Sequence, residues 1–239
     1  MDDTDIKTRL MQAALPHVPF DGWSDATFRA AARDAGIDPA LARAHCPRGA
    51  VDLAIAYHRA GDDAMVARLR TTETGAMRFR DRIAAAVRFR LEAAEKEAVR
   101  RGTTLFALPM HAGDGARLLW GTADRIWTEL GDTADDLNWY TKRATLAGVY
   151  AATVLYWLGD ESPDAQATWD FLDRRIAGVM QIEATKARLR DNPLTRPAMQ
   201  MQDWLFRQVR RPPRLDDLPG NLGAFAASGA APGGAARPE

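Results

Sequence analysis

The chain has 239 residues, 32 basic and 32 acidic side chains, and 46% hydrophobic residues. That suits a single ordinary domain with a substantial core, and zero net charge argues against a protein that coats nucleic acid over its whole surface. Cys46 is the only cysteine, so an internal disulfide framework is excluded.

Strand signals are nearly absent and helical spacing is pervasive, which predicts an all-α bundle of about nine or ten helices. The first helix covers Ile6 to Leu15, and Pro16 and Pro19 stop it. Ser24 caps a second helix from Asp25 to Ala35, which Gly36 ends. Asp38 caps a third, with Pro39 in the first helical position, where no amide donor is needed. Together they form an N-terminal helix-turn-helix outline over residues 1–48. Residues 49–190 then read as one helical domain.

Within that domain a long helix runs from Ala50 to Thr72, and a second from Gly75 to Arg101, ended by Gly102. Phe79, Ile83, Val87, Leu91, Ala94 and Ala98 make the apolar stripe of the second, with Arg and Glu over the rest. Leu105 to Gly131 is helical but broken by Pro109 and by Gly113-Asp114-Gly115. Leu137 to Leu158 is apolar over most of its circumference, which calls for a central helix or an oligomer interface. Ser162-Pro163-Asp164 opens a last helix through Gln181, and these two helices are expected to form a four-helix dimer seam.

Residues 191–227 change character. Lys186 to Arg214 carries eight basic residues against Asp191 and Asp203. A short helix from Ala198 to Val209 would align Met201, Trp204, Leu205 and Val209, with Arg207, Arg210 and Arg211 flanking. That is one pattern of a helix lying on an anionic bilayer, and equally that of a helix packed on its own domain. Residues 228–239 are Ala, Gly and Pro in the main and read as a disordered tail.

No run approaches the ~20 apolar residues of a membrane span. The acidic start, Met1-Asp2-Asp3-Thr4-Asp5, matches neither a secretory signal nor a mitochondrial presequence. Arginine dominates the basic residues, with Lys only at 7, 96, 142 and 186, a bias that points to a GC-rich bacterial genome and a bacterial cytoplasmic address.

The search for chemistry is thin. His17, His45, His58 and His111 are scattered, without the spacing that places two metal ligands on one helical face, so no metal site is expected. Gly113-Asp114-Gly115 lacks a phosphate-loop lysine and a preceding strand. His45 and Cys46 are adjacent and diverge on a helix, which disfavours a nucleophilic dyad. No catalytic residue emerges, and the chain reads as a non-enzyme. As a DNA reader the outline is poor. Its second helix offers only Arg43 and His45, and residues 1–60 hold seven basic and eight acidic residues. Arg29, Arg33, Arg43 and Arg48 remain the basic residues that a regulator with a hydrophobic effector would use.

Asp136-Leu137-Asn138-Trp139-Tyr140-Thr141-Lys142-Arg143 puts an aromatic pair and two cations at a helix start. Core packing explains it, and so does an aromatic and arginine hot spot on a docking surface. This block joins Ala14 to Ser24 (Ala-Leu-Pro-His-Val-Pro-Phe-Asp-Gly-Trp-Ser), Cys46-Pro47-Arg48-Gly49, and Asp160-Glu161-Ser162-Pro163-Asp164 with Thr168, Trp169, Phe171, Leu172 and Arg175. On these residues the chain from about Ile6 to Ala187 resembles the coenzyme Q biosynthesis protein nine family.

The resemblance implies a TetR-like dimer that does not act as a repressor. It also implies that an isoprenoid or quinone lipid is held where TetR relatives hold effectors, with no other cofactor. Demethoxyubiquinone hydroxylase is the implied partner. It would dock on Asp136, Asn138, Trp139, Tyr140 and Arg143, with Ile126 and Trp127 nearby. The implied function is a non-catalytic accessory role in ubiquinone synthesis, presenting polyprenylated precursors at the membrane, and the expected address becomes the bacterial inner-membrane surface. The alternative is a TetR-type transcriptional regulator. Apolar clustering nominates Leu105, Phe106, Leu118, Leu119 and Trp120 as cavity walls, closed by Leu146, Tyr150 and Val154. The family's long membrane helix is not matched, since the candidate here is short and enclosed by prolines.

Overall fold

The computed structural model describes residues 3–133 and 137–191, and these are all helix and connecting turn, as the periodicity predicts. Ten α-helices follow in order: α1 Asp3–Ala14, α2 Val18–Asp21, α3 Asp25–Asp34, α4 Pro39–His45, α5 Ala50–Thr71, α6 Phe79–Glu92, α7 Lys96–Phe106, α8 Ala112–Glu129, α9 Leu137–Gly159 and α10 Gln166–Asp191.

The caps predicted for α3 and α4 are present. The Ser24 side chain accepts from the Thr27 amide at 3.3 Å, and Asp38 Oδ1 accepts from Ala40 at 2.9 Å and Leu41 at 3.2 Å. Gly36 turns the chain out of α3 at φ 62°, a left-handed conformation that a Cβ would strain. The single turn α2 carries no periodicity long enough to predict.

The predicted helix from Gly75 to Arg101 is in fact two. It breaks at residues 93–95, where the Glu95 amide leaves the helical ladder and donates to the Tyr57 hydroxyl at 2.7 Å. Gly102 does not end α7 but lies inside it. A Cβ there would sit 3.7 Å from Trp23 Nε1, and that indole donates to the Ala98 carbonyl at 3.1 Å, so the glycine admits the ring that ties the N-terminal unit to α7. The break predicted at Pro109 is real, whereas Gly113 and Gly115 lie in the first turns of α8.

The start of α10 also differs from expectation. Pro163–Ala165 form a 3₁₀ turn in which Asp164 and Ala165 have φ of 51° and 55°. Ser162 caps α10 as expected, its hydroxyl accepting from the Ala167 amide at 3.0 Å, and a second cap comes from Asp160, whose carboxylate accepts from the Ser162 amide and from both the amide and hydroxyl of Thr168. Those donors hold its carboxyl well below the ordinary range.

Two cores result. Ile6, Leu10, Val18, Trp23, Phe28, Leu53 and Ala98 centre the N-terminal one, and Met65, Val87, Ile126, Leu146, Trp157, Trp169 and Leu172 the larger one. Helix α5 contributes its first half to one and its second half to the other, which makes the two units a single packed body. Among the described residues no helix is long and apolar enough to cross a membrane.

Candidate functional site

A cavity of about 420 Å³ opens among α5, α6, α7, α8 and α9. Phe106, Leu118, Leu119, Tyr150 and Val154 line it, together with Ala54, Ala98, Val99 and Ala151. Its size falls within the ~300–1,000 Å³ of small-molecule sites. Exposed Ala107, Ala112, Ala116 and Leu155 stand in the same wall and mark its mouth beside the α7–α8 turn.

Three nominated wall residues lie elsewhere. Leu105 packs against the N-terminal core, because it faces α7's other neighbours. Leu146 lines a second cavity, of about 520 Å³, between α6, α8, α9 and α10. Trp120 leaves the cavity for an aromatic cluster, with ring centroids 5.8 Å from Trp139 and 6.3 Å from Tyr140.

Apart from Tyr150, the polar residues at the end of the cavity were not among the nominated ones. Arg90 is only 2% exposed, and its Nε donates to Asp62 Oδ1 at 2.6 Å while Nη2 donates to the His58 carbonyl at 2.9 Å. The Thr122 hydroxyl lies 2.9 Å from the same Asp62 oxygen and 2.9 Å from His58 Nε2. Gly61 is needed for this packing, since a Cβ there would fall 2.5 Å from Arg90 Nη1. Burial raises the Asp62 carboxyl, while Arg90 and Thr122 draw it back. Burial also pushes the Tyr150 hydroxyl up to about 12. A sequence signal did exist. Arg90 sits three residues after Val87, on the flank of the apolar stripe rather than opposite it, and His58 and Asp62 are four apart on α5.

His58 is held neutral. Burial first, and then the charge of Arg90, lower its pKa from 6.5 to about 3. The unfolded chain therefore takes up a proton at His58 below pH ~6.5 that the folded protein refuses until near pH 3, so stability falls as the pH drops through that window. Urea titrations between pH 7 and 4 should show His58→Asn with a flatter pH dependence than the parent, the difference approaching ~1.4 kcal/mol per pH unit. Parallel curves would mean that the imidazole is not shielded.

The second nominated site is a ridge at the start of α9. Trp139 and Tyr140 are half-buried and meet edge to face at 4.8 Å. Asn138 beside them is exposed, and Asp136 lies outside the described residues. Arg143 is corrected from a surface contact to an internal strut. It is 1% exposed, bonds Asp124 at 2.5 Å and Asp132 at 2.8 Å, and stacks over Trp139 at 4.1 Å. Ile126 is fully buried and Trp127 is 9% exposed, so both belong to the core rather than to any surface a partner touches. The Trp127 indole donates to the Lys142 carbonyl at 3.1 Å, anchoring the ridge from below. Met201, Trp204, Leu205, Arg207, Val209, Arg210 and Arg211, nominated for membrane contact, lie outside the described residues.

In the helix-turn-helix, α4 presents Ala40, Leu41 and Ala44 to solvent, and Arg43 pairs with Asp25 at 3.4 Å. Arg48 is drawn onto Asp52 and Asp114, each at 2.9 Å, which ties the N-terminal unit to α8. Among the described residues no group of His, Cys, Asp and Glu is arranged to hold a metal ion.

Residues 112–183, spanning α8, α9 and most of α10, match the COQ9 family profile. Over these residues the chain is similar to COQ9. It is 31% identical over 189 residues to the mitochondrial ubiquinone biosynthesis protein COQ9 of Rattus norvegicus, covering 75% of this chain and 60% of that protein. The COQ9 of Drosophila melanogaster is 30% identical over 184 residues, covering 74% and 56%. The chain thus spans about 60% of the length of the curated relatives it matches. In solved structures the fold is similar to that of a TetR transcriptional regulator from Nitrosomonas europaea, with a TM-score of 0.59 at 16% identity, covering 72% of this chain and 97% of that one. The TetR-like architecture is therefore observed.

The matched residues contain the whole Trp139–Tyr140 ridge and one wall of the first cavity, while α5, α6 and α7 supply the other wall. The expected bacterial cytoplasmic address is overturned. The COQ9 relatives of rat, cattle, frog, fly and human that the chain matches are all named mitochondrial. Arginine-rich, alanine-rich composition reflects codon usage and does not report the compartment in which a protein works.

Proposed function

We propose that this chain is a non-catalytic accessory protein of ubiquinone biosynthesis that holds a polyprenylated quinone precursor in the first cavity. As a homodimer it presents that lipid, at a membrane surface, to demethoxyubiquinone hydroxylase. The observation that carries this is an apolar cavity that ends on a buried polar cluster in a chain similar to COQ9. A polyprenyl tail leaves a bilayer only if comparable apolar surface receives it, at ~25 cal/mol per Å². The cavity receives the head and the first part of the tail, and the mouth at Ala107, Ala112 and Ala116 lets the remainder out.

The Trp139–Tyr140 ridge supports the docking step, being aromatic, half-exposed and held rigid by Arg143, as interface anchors are. Exposed Leu155 and Tyr156 on α9, the latter stacked on Phe171 of α10 at 4.5 Å, support the dimer seam.

Native mass spectrometry and organic extraction of the purified protein test the proposal. A quinone precursor should co-purify, and Ala116→Trp, which plugs the mouth at an exposed position, should reduce its amount about tenfold with little change in melting temperature. A lipid-free parent protein, or an unaffected load in the plugged variant, would remove the cavity from the function.

A further inference from the structure

We infer that the polar end of the first cavity selects amphiphiles with an uncharged, hydrogen-bond-accepting head, a carbonyl or phenolic oxygen, over phosphate-bearing lipids with the same tail, and that Asp62 sets this selectivity. The inference rests on the ligand-binding reading of the cavity and names what distinguishes one ligand from another there.

The charges at this end cancel. Arg90 and Asp62 form a buried ion pair at 2.6 Å, with side chains 3% and 4% exposed. His58 is neutral, and Tyr57 and Tyr150 keep their protons because burial raises both. Of the charged groups around the cluster, Arg125 is paired with Asp63 at 2.5 Å, and Arg59 and Glu95 lie on exposed positions. Hydrogen-bond donors are nevertheless plentiful. Arg90 commits Nε and Nη2 to Asp62 and the His58 carbonyl, out of five N–H groups, and it stands in the cavity wall beside Tyr57 and Tyr150.

A carbonyl or phenolic head exchanges neutral hydrogen bonds with water for similar ones here, at little electrostatic cost. A phosphate brings one or two full charges into an apolar chamber whose only buried cation is already neutralised, so its desolvation is not repaid. Removing the charge of Asp62 reverses the situation, because an uncompensated arginine is a strong phosphate partner. The point has consequence because membranes are full of phosphate-headed amphiphiles whose tails suit the same apolar walls.

The full chain, stripped of lipid, would be titrated with decyl-benzoquinone and with decyl phosphate, each displacing a cavity-bound fluorescent dye. The quinone should bind about tenfold or more tightly, and Asp62→Asn, which preserves side-chain shape, should move the ratio about tenfold toward the phosphate. Should Asp62→Asn fail to fold, Tyr150→Phe, which deletes one donor, should weaken the quinone severalfold and leave the phosphate unchanged. Equal binding, a phosphate preference in the parent chain, or an unmoved ratio in folded Asp62→Asn would overturn the selectivity alone. Binding of neither probe would remove the cavity reading and the selectivity with it.

Discussion

An Asp62→Ala variant should lose about 3–5 kcal/mol of stability, the cost of leaving a buried charge without its partner. Arg90 has 2% of its surface exposed and would keep only the His58 carbonyl at 2.9 Å. The loss should exceed that of any surface ion pair in the protein. Arg70–Glu129 is a useful control, since it has equally short contacts at 2.6 and 2.9 Å, but the arginine is exposed and water screens the pair, so its removal should cost far less. Replacing both partners, as Asp62→Leu with Arg90→Met, should recover most of the stability, because a buried ion pair and an apolar pair of similar volume are often nearly equivalent. Urea denaturation of the three proteins reads this directly. A loss below ~1 kcal/mol in the single variant would show that Arg90 reaches water in the native state. Recovery of stability without recovery of lipid would identify the pair as one retained for the ligand rather than for the fold.

Arg143→Met should cost about 3 kcal/mol, at the lower end of the range for a broken buried pair. Two features moderate it. Asp132 keeps Lys142 at 2.8 Å, and the side chain of Asp124 is 41% exposed and recovers water. The variant should also loosen Trp139, over which the guanidinium stacks at 4.1 Å and whose carbonyl it bonds at 3.3 Å. Trp139→Ala should behave differently, with a smaller drop in melting temperature and a larger loss of hydroxylase capture in a pull-down. Half-buried aromatic area contributes less to the fold than a desolvated strut, and hot-spot aromatics dominate docking. Equal losses of stability and of capture in Trp139→Ala would return that side chain to the core.

Most of the secondary structure was legible in the chain because it rests on local physics. Ser24, Asp38-Pro39 and Gly36 mark helix ends through hydrogen bonds and dihedral limits that operate within three or four residues, and each does so in the structure. The apolar circumference of α9 likewise called for a central helix or an oligomer interface, and α9 packs against α8 and α10 while leaving Leu155 and Tyr156 exposed. The misplaced boundaries share one cause, a long-range partner that competes with the helical ladder. Tyr57 captures the Glu95 amide from 38 residues away and splits α6 from α7, and Trp23 fits over Gly102 from 79 residues away.

The candidate sites divide along the same line. Residue type was enough to nominate Phe106, Leu118, Leu119, Tyr150 and Val154, since apolar clusters on successive helices tend to meet. Whether such a cluster encloses space or fills it is decided by helix crossing, and that sent Trp120 to the ridge and Leu146 to a second cavity. Arg143 and Arg90 are the clearest cases. An arginine in sequence reads as a solvated cation, because nothing local pays the cost of burying it, and only the fold brings Asp124, Asp132 and Asp62 within 3 Å. By itself the sequence determined the helices, their caps and the family likeness, all of which follow from short-range chemistry or direct residue matching. The tertiary structure alone decided which charges are buried and which apolar faces leave a hollow, because desolvation and packing depend on neighbours far away along the chain.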